Sequence, residues 1–261
     1  MDDLALALLL ADRADEITLA RFGHADLNVR AKPDRSPVTE ADLAAERALR
    51  ALIADFRPED GILGEEFDET PGRGDRRWIL DPIDQTANYT RGVEVYATLI
   101  ALEESGRITV GVVSAPAMGR RWWAARGQGA FASTTGDVRR IHVSAVDDLA
   151  EAHVSHAALH LWDRLGMAPG LTEISAAVGQ TFGSAGFWAQ MLVAEGRCDV
   201  SLDPWGKVWD HAPGQVIVEE AGGRLSDLGG RPRIDQDCAV VTNGLLHDEV
   251  LARLTARRTS T

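Results

Sequence analysis

Apolar residues recur at helical spacing through Leu6, Leu10, Ala14 and Ile17, so residues 2–21 are expected to form an amphipathic helix that ends near Gly23. The polar stretch LNVRAKPDRSP, residues 27–37, follows as a short extended piece and a loop. Ala45, Leu49, Leu52 and Ile53 mark the inner face of a second helix. Thr39 is suited to cap it, with Asp42 near the capping-box position.

From Gly61 the period shortens. GILGEEF (61–67) reads as a short strand, followed by a Gly- and charge-rich loop from Glu69 to Arg77. Trp78, Ile79 and Leu80 form a buried strand that Asp81-Pro82 should end, because proline fixes its own φ and pushes the preceding residue to an extended conformation. Val95–Glu104 and Ile108–Pro116 are expected as antiparallel strands joined by Ser105-Gly106. Residues 120–132 add a strand, a Gly-rich hairpin and another strand, with Trp122 and Trp123 packing on the sheet.

Beyond about residue 145 strands and helices alternate. Strands are expected at 152–157, 198–204, RLSDL and 239–243, and helices at LTEISAAVG, 183–196 and 209–223, the last closed by Gly222-Gly223. LLHDEVLARLTARR reads as the terminal helix. The fold class is therefore α/β: an α+β half over 1–145 with helices on an antiparallel sheet, and an α/β half over 146–261, packed across a cleft.

Composition narrows the function. A hydrophobic content of 45% supports a true core, and a net charge of −13 argues against nucleic acid as a partner. An acidic protein handling an anionic substrate needs a metal ion or a few placed arginines. Two cysteines, Cys198 and Cys238, without CxxC spacing suggest neither a disulfide framework nor a thiolate zinc site. Leu4–Ala11 is too short to span a membrane, and Asp2-Asp3 before it does not suit a signal peptide. A soluble cytoplasmic protein is expected.

The candidate chemistry centres on WILDPIDQTANY, Trp78–Tyr89. Asp81 and Asp84 lie three residues apart at the carboxyl end of a strand, where ligand chemistry in α/β proteins sits. Two carboxylates so close repel and favour a cation, although an Asx-type turn explains them equally well in isolation. Asp42 has a capping role to account for it. Of Glu65 and Glu66, adjacent at a strand end, only one should face a site. Asp210, at the start of a helix, has the helix dipole.

Taken together, GEE, then DPIDQTANY, then WDHAPGQVIVEEAGG resemble the inositol monophosphatase superfamily of Mg²⁺-dependent phosphatases. KPDRSPVTEAD, GVVSAPAMGRRWWAARGQGAFA and TNGLLHDEVL are most similar to its actinobacterial histidinol-phosphate phosphatase branch. The resemblance implies a layered αβαβα sandwich, a homodimer and a small phosphorylated metabolite as substrate. It also implies Mg²⁺, two or three ions per site, with Mn²⁺ as a substitute. Carried onto this chain, it gives Glu65, Asp81 and the Ile83 carbonyl to one ion, and Asp81, Asp84 and Asp210 to another. Thr86, supported by Asp42, would orient the attacking water, with Glu65 at the same catalytic centre. The N–H groups of Gln85 and Thr86 would cradle phosphate, Lys32 lies on a flap, and Asp203 would meet a substrate hydroxyl. Two positions depart from the pattern: Gln85 replaces a glycine, and Gly186 stands where the branch has an acid suited to an ammonium group. The expected activity is Mg²⁺-dependent hydrolysis of histidinol phosphate or a related amino-alcohol, sugar or cyclitol phosphate. The alternative is a divergent relative that binds metal or ligand with little or no turnover.

Overall fold

Asp2 opens the first helix by accepting the Ala5 N–H at 2.7 Å. In the computed structural model, which describes residues 1–256, α1 then runs Asp3–Arg21 and buries Leu6, Ala7, Leu10, Ala11, Ala14 and Thr18 along one face. β1 (Val29–Ala31) and β2 (Pro37–Thr39) form a small antiparallel hairpin. α2 (Glu40–Phe56) starts at the capping box read from sequence, with the Thr39 N–H donating to Asp42 at 2.8 Å.

β3 (Gly61–Gly64) and β4 (Arg76–Asp84) lead to the one-turn α3 (Thr86–Tyr89). β5 (Ala97–Glu104), β6 (Arg107–Ala115), β7 (Arg120–Ala125), β8 (Gly129–Thr134) and β9 (Asp137–Ile141) complete a seven-stranded sheet in chain order. β3 and β4 are parallel, and every later neighbour is antiparallel.

The second half contributes β10 (His153–His156), α4 (Leu159–Arg164), α5 (Ala168–Ala177), β11 (Gln180–Phe182), α6 (Phe187–Ala194) and β12 (Val200–Asp203). α7 (Val208–Glu220), β13 (Arg224–Ser226), β14 (Ala239–Thr242) and α8 (His247–Thr255) follow. Its sheet has the order β11-β10-β12-β14-β13 and is mixed, with β10 parallel to β11 and β12 and β14 antiparallel to β12 and β13. Of the expected terminal helix, Arg257 and Arg258 lie outside the described residues.

Five layers result. α1 and α2 cover one face of the seven-stranded sheet, burying Leu6, Leu10, Leu49 and Ile53 on Trp78 and Leu80. The other face packs on α6 and α7, which share a core with β13 and β14 of the second sheet. α4, α5 and α8 close the far side around Trp162, Ile174 and Val250. This is the αβαβα sandwich the motifs implied. α7 can lie directly on β6 because residue 111 is glycine: a Cβ there would stand 2.7 Å from the Pro213 carbonyl oxygen.

Two expectations about the first sheet are corrected. Asp81-Pro82 does not end the strand, since β4 continues to Asp84. Proline is accommodated because the register against β5 shifts between Asp81 and Asp84, where a ladder N–H is not required. Glu65 and Glu66 do not turn to different sides; both reach Lys32 Nζ at 2.7 Å. β3 has ended at Gly64, so strand alternation no longer governs them.

Candidate metal centre

On a regular strand, residues three apart face opposite sides. The irregularity in β4 removes that constraint for Asp81 and Asp84, and the Thr98 hydroxyl anchors it by donating to the Pro82 carbonyl at 2.8 Å. Asp210, in the first turn of α7, comes from the other half of the chain. It is held there by accepting the Lys207 N–H at 2.6 Å. One carboxylate oxygen from each of Asp81, Asp84 and Asp210 lies within 4.8 Å of the other two.

Among the described residues no cationic side chain forms an ion pair with the triad, and the charge of Lys207 only partly offsets the burial of Asp210. Burial, then the charges of Glu65, Asp84 and Asp210, pushes Asp81 well above the usual carboxylate range. Burial and the Asp210 charge do the same to Asp84, against a Phe187 N–H that donates to its Oδ2 at 3.2 Å. Asp210 is raised to about 6, chiefly by burial. Three hard oxygen ligands that repel one another in a dehydrated setting are a fitting donor set for Mg²⁺ or a similar divalent cation.

Glu65 stands beside the triad with Oε1 on the Lys32 ammonium. Its neighbour Glu66, nearly buried, is raised to about 7 by burial in spite of Lys32. The Ile83 carbonyl, read as a metal ligand, accepts the Thr86 hydroxyl at 2.9 Å. Thr86 Oγ1 is also 3.4 Å from Asp42 Oδ1, so Asp42, Thr86 and Ile83 form a chain beside Asp84. Asp42 is fully buried, and burial lifts it to about 6 although two Thr39 groups donate to it.

Gln85 has φ 67° and ψ 44°, the left-handed region, between Asp84 and α3. Glutamine in that region carries a steric cost of about 1–2 kcal/mol that glycine avoids. Gln85→Gly is therefore expected to stabilise the metal-free protein by roughly 0.5–1 kcal/mol, read by urea denaturation. A lower midpoint with unchanged m-value would show that contacts of the Gln85 side chain outweigh backbone strain.

Gly186 is on the opposite wall, with φ 66° and ψ −153° just before α6. A Cβ there would stand 3.0 Å from both Asp84 Oδ2 and the Gln85 amide nitrogen, so a side chain at this position is strained by the positive φ and crowded by its neighbours. Asp203, expected at a substrate hydroxyl, is 1% exposed. It accepts the Gly186 N–H at 3.2 Å and the Gln190 amide at 3.3 Å. Sequence reading passed over Gln190 and His211, which lie buried around Asp203. The visible signal was a lone amide in the apolar run FWAQMLVA. Cavities of about 470 Å³, walled partly by Arg77, Arg107, Arg126 and Arg233, and about 530 Å³, beside Leu8 and Trp123, lie elsewhere and include none of these residues.

The inositol monophosphatase family profile matches residues 2–260. This chain belongs to the inositol monophosphatase family. Among relatives of the family, a histidinol-phosphatase of Mycobacterium tuberculosis is 50% identical over 98% of each chain. One from Streptomyces coelicolor is 45% identical, again over 98% of each. In structure, the extragenic suppressor protein SuhB of Bartonella henselae superposes with a TM-score of 0.89 at 28% identity, over 98% of each chain. The inositol monophosphatase of Thermotoga maritima gives 0.85 at 31%, also over 98% of each. As an inositol monophosphatase family member with phosphatase relatives along its whole length, the chain is a phosphoric monoester hydrolase.

Proposed function

We propose that this phosphatase hydrolyses a small amino-alcohol phosphate of the histidinol phosphate type, using Mg²⁺ held by Asp81, Asp84 and Asp210. Glu65 and the Ile83 carbonyl complete the donor set. The convergence of three carboxylates from β4 and α7, one buried and two half-buried, carries this reading. The substrate class is supported by the identity to histidinol-phosphatases over 98% of the chain.

Bound cations would supply an activated water and neutralise charge on the leaving oxygen. The chain's own residues do the rest. Thr86 donates to Ile83 or Asp42, which leaves its lone pairs free to accept a hydrogen bond from water and fix its direction of attack. Asp42, fixed in the capping box, keeps that hydroxyl in place. The N–H groups of Gln85 and Thr86, at the turn into α3, would meet the phosphate oxygens. Lys32, on the hairpin turn after β1, brings positive charge to Glu65 and to an incoming phosphate. Asp203 contributes from beneath the wall.

Gln85 and Gly186 favour a second substrate class. With an uncharged amide and a glycine where an acid would meet an ammonium group, the leaving-group side suits neutral polyol phosphates. Phosphate release should be measured with histidinol phosphate, inositol 1-phosphate and a sugar phosphate, in Mg²⁺ and in excess EDTA. The expected result is release only with Mg²⁺ and a kcat/KM for histidinol phosphate at least about tenfold above the others. Preference for inositol 1-phosphate would favour the polyol reading, and full activity in EDTA would end the metal proposal.

A further inference from the structure

Gln190 interrupts an otherwise apolar helix and is fully buried. Its amide nitrogen is 3.3 Å from Asp203 Oδ2 and 3.4 Å from His211 Nδ1. The surrounding backbone makes room for this group. A Cβ on Gly214 would stand 2.0 Å from Gln190 Oε1, and one on Gly206 would stand 2.2 Å from His211 Nε2. Those same two atoms, Gln190 Oε1 and His211 Nε2, have no hydrogen-bond partner among the described residues. A buried polar group with an unmet hydrogen bond lowers stability relative to an apolar one of the same shape. Stability alone would thus favour a leucine or methionine at residue 190.

What the amide does provide is position. Gly186 and Phe187 offer two successive N–H groups at the start of α6. The first goes to Asp203 Oδ1 and the second to Asp84 Oδ2, both at 3.2 Å. Gln190 holds the other oxygen of Asp203, so the carboxylate is fixed at both ends and with it the Gly186–Phe187 turn. That turn has a glycine-favouring conformation and packs closely against Asp84 and Gln85, so a small shift in it moves the N–H that Asp84 accepts.

We propose that Gln190 is a positioning residue: acting through Asp203, it sets the Gly186–Phe187 turn against Asp84 and so tunes how tightly the aspartate triad takes a divalent cation. This rests on the metal reading given above. Partners that orient a metal ligand without touching the metal typically change affinity by about 10–100-fold.

The test is calorimetric titration of Mg²⁺ into the full chain, comparing wild type with Gln190→Met, which keeps the shape and removes the N–H. The expected result is a folded protein, melting at or above the wild-type temperature, with Mg²⁺ affinity weakened about tenfold. In the assay its Mg²⁺ requirement should rise while substrate KM at saturating Mg²⁺ stays unchanged, a split that general loosening of the fold would not give. Asp203→Asn should weaken Mg²⁺ binding as well, and it carries the test if the methionine variant does not fold. Adding Gln190→Met to Asp203→Asn should produce no further loss. Unchanged Mg²⁺ affinity in folded Gln190→Met, or fully additive losses in the double variant, would overturn the inference and leave the metal reading standing. A wild type that binds no Mg²⁺ would remove both.

Discussion

Asp84→Asn is expected to melt at a higher temperature than wild type without divalent cation, yet to hydrolyse substrate on the order of a thousandfold more slowly with it. The two effects share one cause. Asp84 lies among like charges, and burial and Asp210 together push it well above the usual carboxylate range. Asparagine removes the repulsion and can still accept the Phe187 N–H that now goes to Asp84 Oδ2. Relief of about 1–2 kcal/mol would raise the metal-free Tm by roughly 2–8 °C. It also removes one of the carboxylates proposed to hold the cation, so Mg²⁺ affinity and turnover should fall together. Calorimetry in EDTA and a phosphate-release assay over a Mg²⁺ series measure both. A variant that stays active, or one that melts lower in EDTA, would show that Asp84 serves the fold and not the cation.

The second large effect is a reversed pH dependence. In the folded chain Asp42 and Asp210 are raised to about 6, and Glu66 and Asp203 to about 7, each chiefly by burial. A carboxylate raised by folding contributes stability that is complete below about pH 4 and lost as pH climbs through its folded value. His211 and His247 act oppositely: burial lowers both to about 4, so their contribution is present above about pH 6.5 and lost as pH falls towards 4. Between pH 6 and 8 the carboxylates prevail, because Glu66 and Asp203 ionise within that window and Asp81 and Asp84 are pushed the same way. The metal-free protein should therefore lose on the order of 2 kcal/mol between pH 6 and pH 8, roughly 4–8 °C in Tm. Saturating Mg²⁺ should reverse the slope, since the cation binds the ionised carboxylates. Melting curves at four pH values with and without Mg²⁺ decide it. A metal-free Tm that rises across this range would mean that the cluster is neutralised by some other group.

The layers were legible because α1 and α2 repeat apolar residues at helical spacing, while β5 and β6 are long apolar runs joined by a turn. β9 was not, since four of its five residues are exposed and give no alternating signal. α4 and β11 were too short to register. In the site, Asp81, Asp84 and Asp210 could be singled out by motif, and the structure brings them together. The chain's path through Pro82 could not be read, because local rules for proline describe a regular ladder and the register shift is set by pairing with β5. The sharing of Lys32 by Glu65 and Glu66 depends on a loop meeting a strand end, which spacing in the sequence does not encode. Gln85 shows the middle case: sequence framed two alternatives for its backbone, and the φ of 67° selects the strained one.

The triad is also divided in time. Asp81 and Asp84 leave the ribosome early, on β4, while Asp210 arrives only with α7, after every strand of the first sheet and three of the second have been synthesised. A nascent first half thus presents two of the three triad carboxylates and gains little from cellular Mg²⁺. Once α7 settles on Gly111, a cation held as proposed would join the two halves of the chain and stabilise only the fully folded protein. Mg²⁺ should therefore slow unfolding of the complete enzyme while leaving the early steps of its synthesis untouched.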